Sequence, residues 1–214
     1  MIERTIPTGT HGRYLLEPPA RAGVAPVLIG FHGYAEPAET QLDRMRAIPG
    51  ADRWMLVAIQ GLHRFYQRRT NEVVAGWMTR QDRELAIADN LAYVAGVMDA
   101  VAHDWPGAPR VVLAGFSQGV AMVFRAAVAA ARPVDGVVAV GGDIPPEIDA
   151  VQLARVRSAL VCRGTRDEWY TAVKFDDDLR RLTEAGVAVH PLPFDGGHEW
   201  TDEVMRAASS FMND

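Results

Sequence analysis

Cysteine is nearly absent from this sequence. Cys162 is the only one in 214 residues, which excludes an intramolecular disulfide framework and fits a reducing compartment. Lysine is equally scarce: of 22 basic residues only Lys174 is a lysine, a bias that reads as genomic composition rather than a binding device. The acidic residues number 27, for a formal net charge of −5. Without a basic field, nucleic acid and anionic lipid surfaces are poor partners. No run of 18 uninterrupted apolar residues occurs, so no membrane-spanning helix is expected. The N-terminus lacks a basic segment followed by an apolar stretch, so no secretory signal is expected and the cytoplasm is the default compartment. Linkers, repeats and low-complexity tracts are also missing, and the whole chain, 1–214, is read as one domain. What is present, 49% hydrophobic and 23% charged residues, excludes a disordered chain.

Short apolar or β-branched runs at Tyr14–Leu16, Val27–Phe31, Met55–Ile59, Val111–Ala114, Val137–Val140, Leu160–Arg163 and Val187–Leu192 read as strands covered on both faces. Helical patterns fall between them at Pro37–Ala47, Arg80–Ala102, Gln118–Ala131, Ala150–Val156, Trp169–Ala185 and Thr201–Met212. This alternation predicts an α/β fold, with a mostly parallel central sheet and helices on both faces. Gln60–Thr79 lacks clear periodicity and is expected to be a loop, functional or disordered.

The strongest chemical signal is Gly115-Phe116-Ser117-Gln118-Gly119, between the apolar run 111–114 and a helical pattern. G-x-S-x-G between strand and helix is a nucleophile elbow, which needs minimal side chains on either side of a projecting serine. Serine requires a base and an orienting acid, here in the order nucleophile, acid, histidine. His198, in the loop after Asp195-Gly196-Gly197, suits the base. His190, inside an apolar run, reads as a partly buried structural residue. Asp167, on the loop after Leu160–Arg163, is the first choice of acid; Glu168 is the runner-up, Asp195 reads as a turn former, and Asp143 is read either as lining the site or as capping the next turn. The strand Val27–Phe31 runs into His32-Gly33-Tyr34, so the Tyr34 backbone N–H is the natural oxyanion donor, paired with that of Gln118. His32 is expected to hold this loop rather than act as base. His198-Glu199-Trp200 is not an HExxH motif and the histidines show no paired ligand spacing, so no metal is expected.

Together, Phe31-His32-Gly33-Tyr34, the GFSQG elbow, Asp167 and Gly197-His198 resemble the α/β-hydrolase superfamily. More narrowly, they resemble its phospholipase/carboxylesterase group, which includes acyl-protein thioesterases. The resemblance implies the α/β-hydrolase fold and a cofactor-free serine hydrolase of esters or thioesters. It implies Ser117, Asp167 and His198 as triad and the Tyr34 and Gln118 amides as oxyanion hole. Gly76-Trp77-Met78 resembles a segment that lines substrate in this group, which makes Trp77 a candidate substrate contact. Arg64 and Arg69, with Arg68, are candidates for a substrate carboxylate or phosphate, against the plainer reading of solvated loop charges. Two positions depart from the group's pattern and bear on pocket width: Val120 replaces a second glycine after the elbow, and Ala35 replaces the second glycine of H-G-x-G. The alternatives are a dienelactone-type hydrolase of small anionic esters, a serine peptidase with the same triad and, last, a non-enzymatic binding module. The expected partner is a small-molecule ester or thioester, and a homodimer is compatible with this reading. With the elements placed, no stretch remains for a separate cap domain, and a mostly open site is expected.

Overall fold

The computed structural model describes residues 1–213. Nine strands and six helices follow in chain order: β1 Arg13–Glu17, β2 Val27–Phe31, α1 Ala38–Arg46, β3 Met55–Gln60, β4 His63–Tyr66, β5 Val73–Gly76, α2 Arg83–Asp104, β6 Val111–Phe116, α3 Gln118–Ala129, β7 Gly136–Val140, α4 Ala150–Leu153, β8 Ser158–Gly164, α5 Ala172–Glu184, β9 Ala188–Phe194 and α6 Asp202–Asn213. Seven of the strands form one sheet in the order β1-β3-β2-β6-β7-β8-β9. β1 pairs antiparallel with β3, and every other neighbour in this sheet is parallel.

The near-continuous apolar runs have a simple cause: successive side chains of a strand point to opposite faces, and both faces are covered. In β3, Met55, Val57 and Ile59 enter the core that contains Val94 and Val101 of α2 and Val123 of α3. The intervening Leu56 and Ala58 enter the other core, with Leu42 and Met45 of α1 and Val204 and Phe211 of α6. Burying either set exposes no polar backbone, because the ladder satisfies it.

Two expectations about the fold need correction. The unperiodic stretch Gln60–Thr79 holds an ordered hairpin, β4 paired antiparallel with β5, outside the main sheet. All four residues of β4 are exposed, so burial imposes no alternation that a reader of the sequence could detect. His190 is exposed rather than partly buried, because β9 is an edge strand; its ring meets the edge of Phe211 at 5.4 Å. Helix α2 is long and apolar enough by composition to cross a membrane. Its inward residues Ala86, Val94, Val97 and Val101 are instead packed in the sheet's core.

Candidate active site

β6 lies in the middle of the sheet, and its C-terminal end turns sharply at Ser117, with φ 52° and ψ −119°. A non-glycine residue at positive φ carries strain, held here by the elements on either side. The Ser117 N–H donates to Val140 O at 2.9 Å and its carbonyl accepts from Val120 N–H at 3.0 Å. α3 then leaves so close to the end of β2 that a Cβ on Gly119 would overlap the Phe31 carbonyl oxygen and lie 2.6 Å from that of His32. Both obstacles are backbone, which cannot swing aside. Gly119→Ala is expected to destabilise the protein by about 3 kcal/mol, which for a chain of this size lowers the melting temperature by about 10 °C. A thermal melt unchanged from wild type would disprove that packing.

The loops after β8 and β9 bring an acid and a histidine to this turn. Ser117 Oγ–H donates to His198 Nε2 at 2.8 Å, and His198 Nδ1–H donates to Asp167 Oδ2 at 2.8 Å. Asp167 is buried, and its second oxygen, Oδ1, accepts the backbone N–H groups of Trp169 at 2.8 Å and Tyr170 at 2.9 Å. Between strands β9 and β6 the imidazole must pass over the end of β7, where Gly141-Gly142 leaves the room. A Cβ on Gly141 would come within 3.2 Å of His198 Cε1, and one on Gly142 would overlap the Ser117 carbonyl oxygen. The acid and histidine loops are stitched together by Thr165 N–H to Phe194 O and Arg166 N–H to Gly196 O, both 2.8 Å, and by an Arg166–Asp195 ion pair. Asp195 thus braces the histidine's loop. Glu168 is exposed, and Asp143 is exposed and paired with Lys174 at 3.3 Å.

The loop after β2 sits beside the elbow because β2 and β6 are neighbours. Gly33 N–H donates to Glu36 Oε2 at 2.7 Å and Ala35 N–H donates to Ala75 O at 2.9 Å. Tyr34 N–H, between them, has no acceptor among the described residues, nor has Gln118 N–H at the first turn of α3. The Gln118 side chain is engaged instead, accepting Trp77 N–H at 2.8 Å and donating to Met78 O at 3.0 Å.

Trp77 does not present a surface to a substrate, which corrects its expected role. It is fully buried, donates from Nε1 to His32 O at 2.9 Å and stacks on the His32 ring at 5.0 Å. It sits beneath the loop after β2. Arg64 donates to His11 O at 3.0 Å, and Arg69 is exposed in the turn at the far end of the β4–β5 hairpin. Neither is brought to Ser117, His198 and Asp167. The hairpin reaches the site through Phe65, whose ring lies 5.6 Å from that of the half-exposed Tyr34. An apolar cavity of about 660 Å³ is found elsewhere, at the N-terminal ends of β2 and β6, beside Val27 and Val111.

His32 is wholly buried, with Nδ1–H donating to Gly33 O at 2.6 Å and Nε2 accepting Gly61 N–H at 3.0 Å. The second bond exists only for the neutral ring. Burial pushes its pKa below the usual value, against the opposing bond to Gly33. With a folded pKa below the unfolded one, stability is intact above about pH 6.5 and falls as the unfolded chain takes up a proton the native state refuses. Asp178 works in the opposite sense: burial raises its pKa to about 6, so its contribution is lost as pH rises through that value. A comparison with His32→Gln isolates the first effect. In urea unfolding, the stability gap between the two proteins is expected to narrow by up to about 1 kcal/mol between about pH 7.5 and about pH 5.5. A constant gap would disprove it.

The sheet, the elbow and the position of acid and histidine after later strands define an α/β-hydrolase fold. The chain belongs to the Phospholipase/Carboxylesterase family, whose profile matches residues 22–214. It is a hydrolase of the carboxylesterase type. Among solved structures it is similar to esterase PE8 (21% identity, TM-score 0.72, covering 94% of this chain and 97% of that one). It is also similar to Zea mays acyl-protein thioesterase 2 (15%, TM-score 0.75, 95% and 98%) and to the Bacillus cereus carboxylesterase (14%, TM-score 0.74, 94% and 93%). No curated protein matches by sequence.

Proposed function

We propose that Ser117, His198 and Asp167 form the catalytic triad of this hydrolase and that the Tyr34 and Gln118 amides bind the oxyanion. The observation that carries this reading is the unbroken hydrogen-bond chain from Asp167 through His198 to Ser117 Oγ, set on the elbow. Ser117 Oγ attacks the ester or thioester carbonyl carbon while its proton passes to His198 Nε2. The carbonyl oxygen becomes an oxyanion held by the two amides and by the N-terminal end of α3. As the tetrahedral adduct collapses, the leaving alcohol or thiol takes the proton from His198 and the acyl group stays on Ser117. Water, losing a proton to the same histidine, then attacks the acyl carbon; the ester bond to Ser117 breaks, Oγ takes that proton back from His198, and the acid is released.

No arginine of the β4–β5 hairpin contacts the triad among the described residues, so a neutral ester suits the site better than a small anionic lactone. The test is a chain-length series of activated esters on purified protein, beside acyl thioesters and a lactone carboxylate. We expect turnover of short neutral esters with an initial burst of alcohol that titrates Ser117. Absence of both turnover and burst across the series would sink the proposal.

A further inference from the structure

We propose that Glu36, neutralised by Arg44, is a positioning residue for the Tyr34 oxyanion donor; this rests on the catalytic reading above. The peptide unit that carries the Tyr34 N–H begins at the Gly33 carbonyl, which is fixed by His32 Nδ1–H at 2.6 Å. The amide before it, Gly33 N–H, is taken by Glu36 Oε2 at 2.7 Å. The amide after it, on Ala35 at φ 59°, is taken by Ala75 O at 2.9 Å, and Ala75 N–H returns to Glu36 O at 3.1 Å. The backbone of Glu36 is therefore pinned to β5 while its side chain reaches back to Gly33. Of three consecutive amides, only that of Tyr34 is left to a ligand.

A carboxylate here carries a hazard. Its oxygen is 2.7 Å from the Gly33 nitrogen, and the next nitrogen along the chain is less than about 4 Å further on. A bare negative charge so close would repel the oxyanion the site must hold. Arg44 removes it with a two-pronged pair, Nη1 to Oε2 at 2.6 Å and Nη2 to Oε1 at 2.7 Å, in a largely shielded setting. The same guanidinium lies 4.2 Å from the centroid of Phe116, whose ring is 5.0 Å from that of His198. Arg44 thus joins the oxyanion loop to the residue preceding the nucleophile.

This assignment makes an ordering that a merely structural ion pair would not. Arg44→Met keeps an apolar stem over Phe116 but leaves the Glu36 charge uncompensated. At an effective dielectric near 20, that charge is worth roughly 10- to 100-fold in rate against a nearby oxyanion. Glu36→Gln keeps an oxygen for Gly33 N–H and removes the charge, so its loss is smaller, about fivefold. Adding Glu36→Gln to Arg44→Met is expected to recover about tenfold of the lost kcat/KM.

The experiment measures kcat and KM for a short activated ester and the inhibition constant of a trifluoromethyl ketone, which forms a tetrahedral oxyanion adduct. Rates are normalised to sites titrated with a fluorophosphonate, so unfolded protein does not count. The expected Arg44→Met protein has a lowered kcat and weaker ketone binding in parallel, with KM within about twofold of wild type. Unchanged kcat, a loss confined to KM, or a double variant no better than Arg44→Met would overturn the proposal. Should Arg44→Met yield no titratable sites, Glu36→Ala against Glu36→Gln decides: the alanine variant, with Gly33 N–H released, is expected to be at least about tenfold slower, and equal rates would overturn it. Wild-type protein that the fluorophosphonate does not label would overturn the catalytic reading itself. Labelled wild type with indifferent Glu36 and Arg44 variants would overturn this inference alone.

Discussion

Ser117→Ala protein is expected to hydrolyse an activated ester at least about 10⁴-fold more slowly than wild type, with no alcohol burst and no fluorophosphonate label. The size follows from what is lost. Without Oγ there is no acyl-enzyme, and His198, still bonded to Asp167, can at best activate water in a geometry built for serine. The amides of Tyr34 and Gln118 remain, so a residual rate above background is consistent with the reading. Folding should survive, since the hydroxyl's partner in the structure is the partly exposed His198. A companion variant separates chemistry from strain. At φ 52° and ψ −119°, alanine suffers the same backbone conflict as serine, whereas Ser117→Gly relieves it; the glycine variant should be the more stable of the two by about 1 kcal/mol in urea unfolding. Retained burst kinetics in either protein would disqualify Ser117 as nucleophile. Equal stabilities would mean that the elbow is not strained as described.

The sequence exposes this centre unevenly, for physical reasons. Strands such as Val27–Phe31 are legible because burial on both faces makes them continuously apolar, and the turns and loops at the C-terminal ends of β6, β8 and β9 bring Ser117, Asp167 and His198 together. The elbow is legible because Gly115 and Gly119 are demanded by close backbone approach, a constraint local in sequence. Asp167 and His198 follow from strand order alone. Glu36 and Arg44 do not: their pairing depends on how the last turn of α1 packs against the loop after β2, and neither residue has a periodicity or a motif to mark it. Trp77 misleads for a related reason. Adjacency to a recognisable segment says nothing about which way an indole faces, and here it faces inward to carry His32. The β4–β5 hairpin, exposed along β4, is held by backbone pairing that leaves no apolar pattern behind. Interactions that pin the oxyanion loop are thus tertiary and polar, the kind a one-dimensional reading detects least.

Asp167→Asn is expected to lower kcat by about 10⁴-fold while KM for a short ester changes little, despite being isosteric. The reason lies in the second oxygen. Asp167 Oδ1 accepts two backbone N–H groups, from Trp169 and Tyr170. An asparagine in the same place must present its carbonyl oxygen to those donors, since turning the amide around would set its NH₂ against two N–H groups in a buried site. Its NH₂ then faces His198 Nδ1, which must become the acceptor. The proton moves to Nε2, and the imidazole offers Ser117 a donor where an acceptor is required. The triad would keep its distances and lose its base. Neutron diffraction, or nitrogen NMR of the imidazole, distinguishes the two tautomers directly: Nδ1–H in wild type, Nε2–H in the variant. If the variant kept Nδ1–H and still lost activity, orientation by Trp169 and Tyr170 would be the wrong explanation. If it kept full activity, Asp167 would not be the acid, and exposed Glu168 would have to be tried by the same substitution.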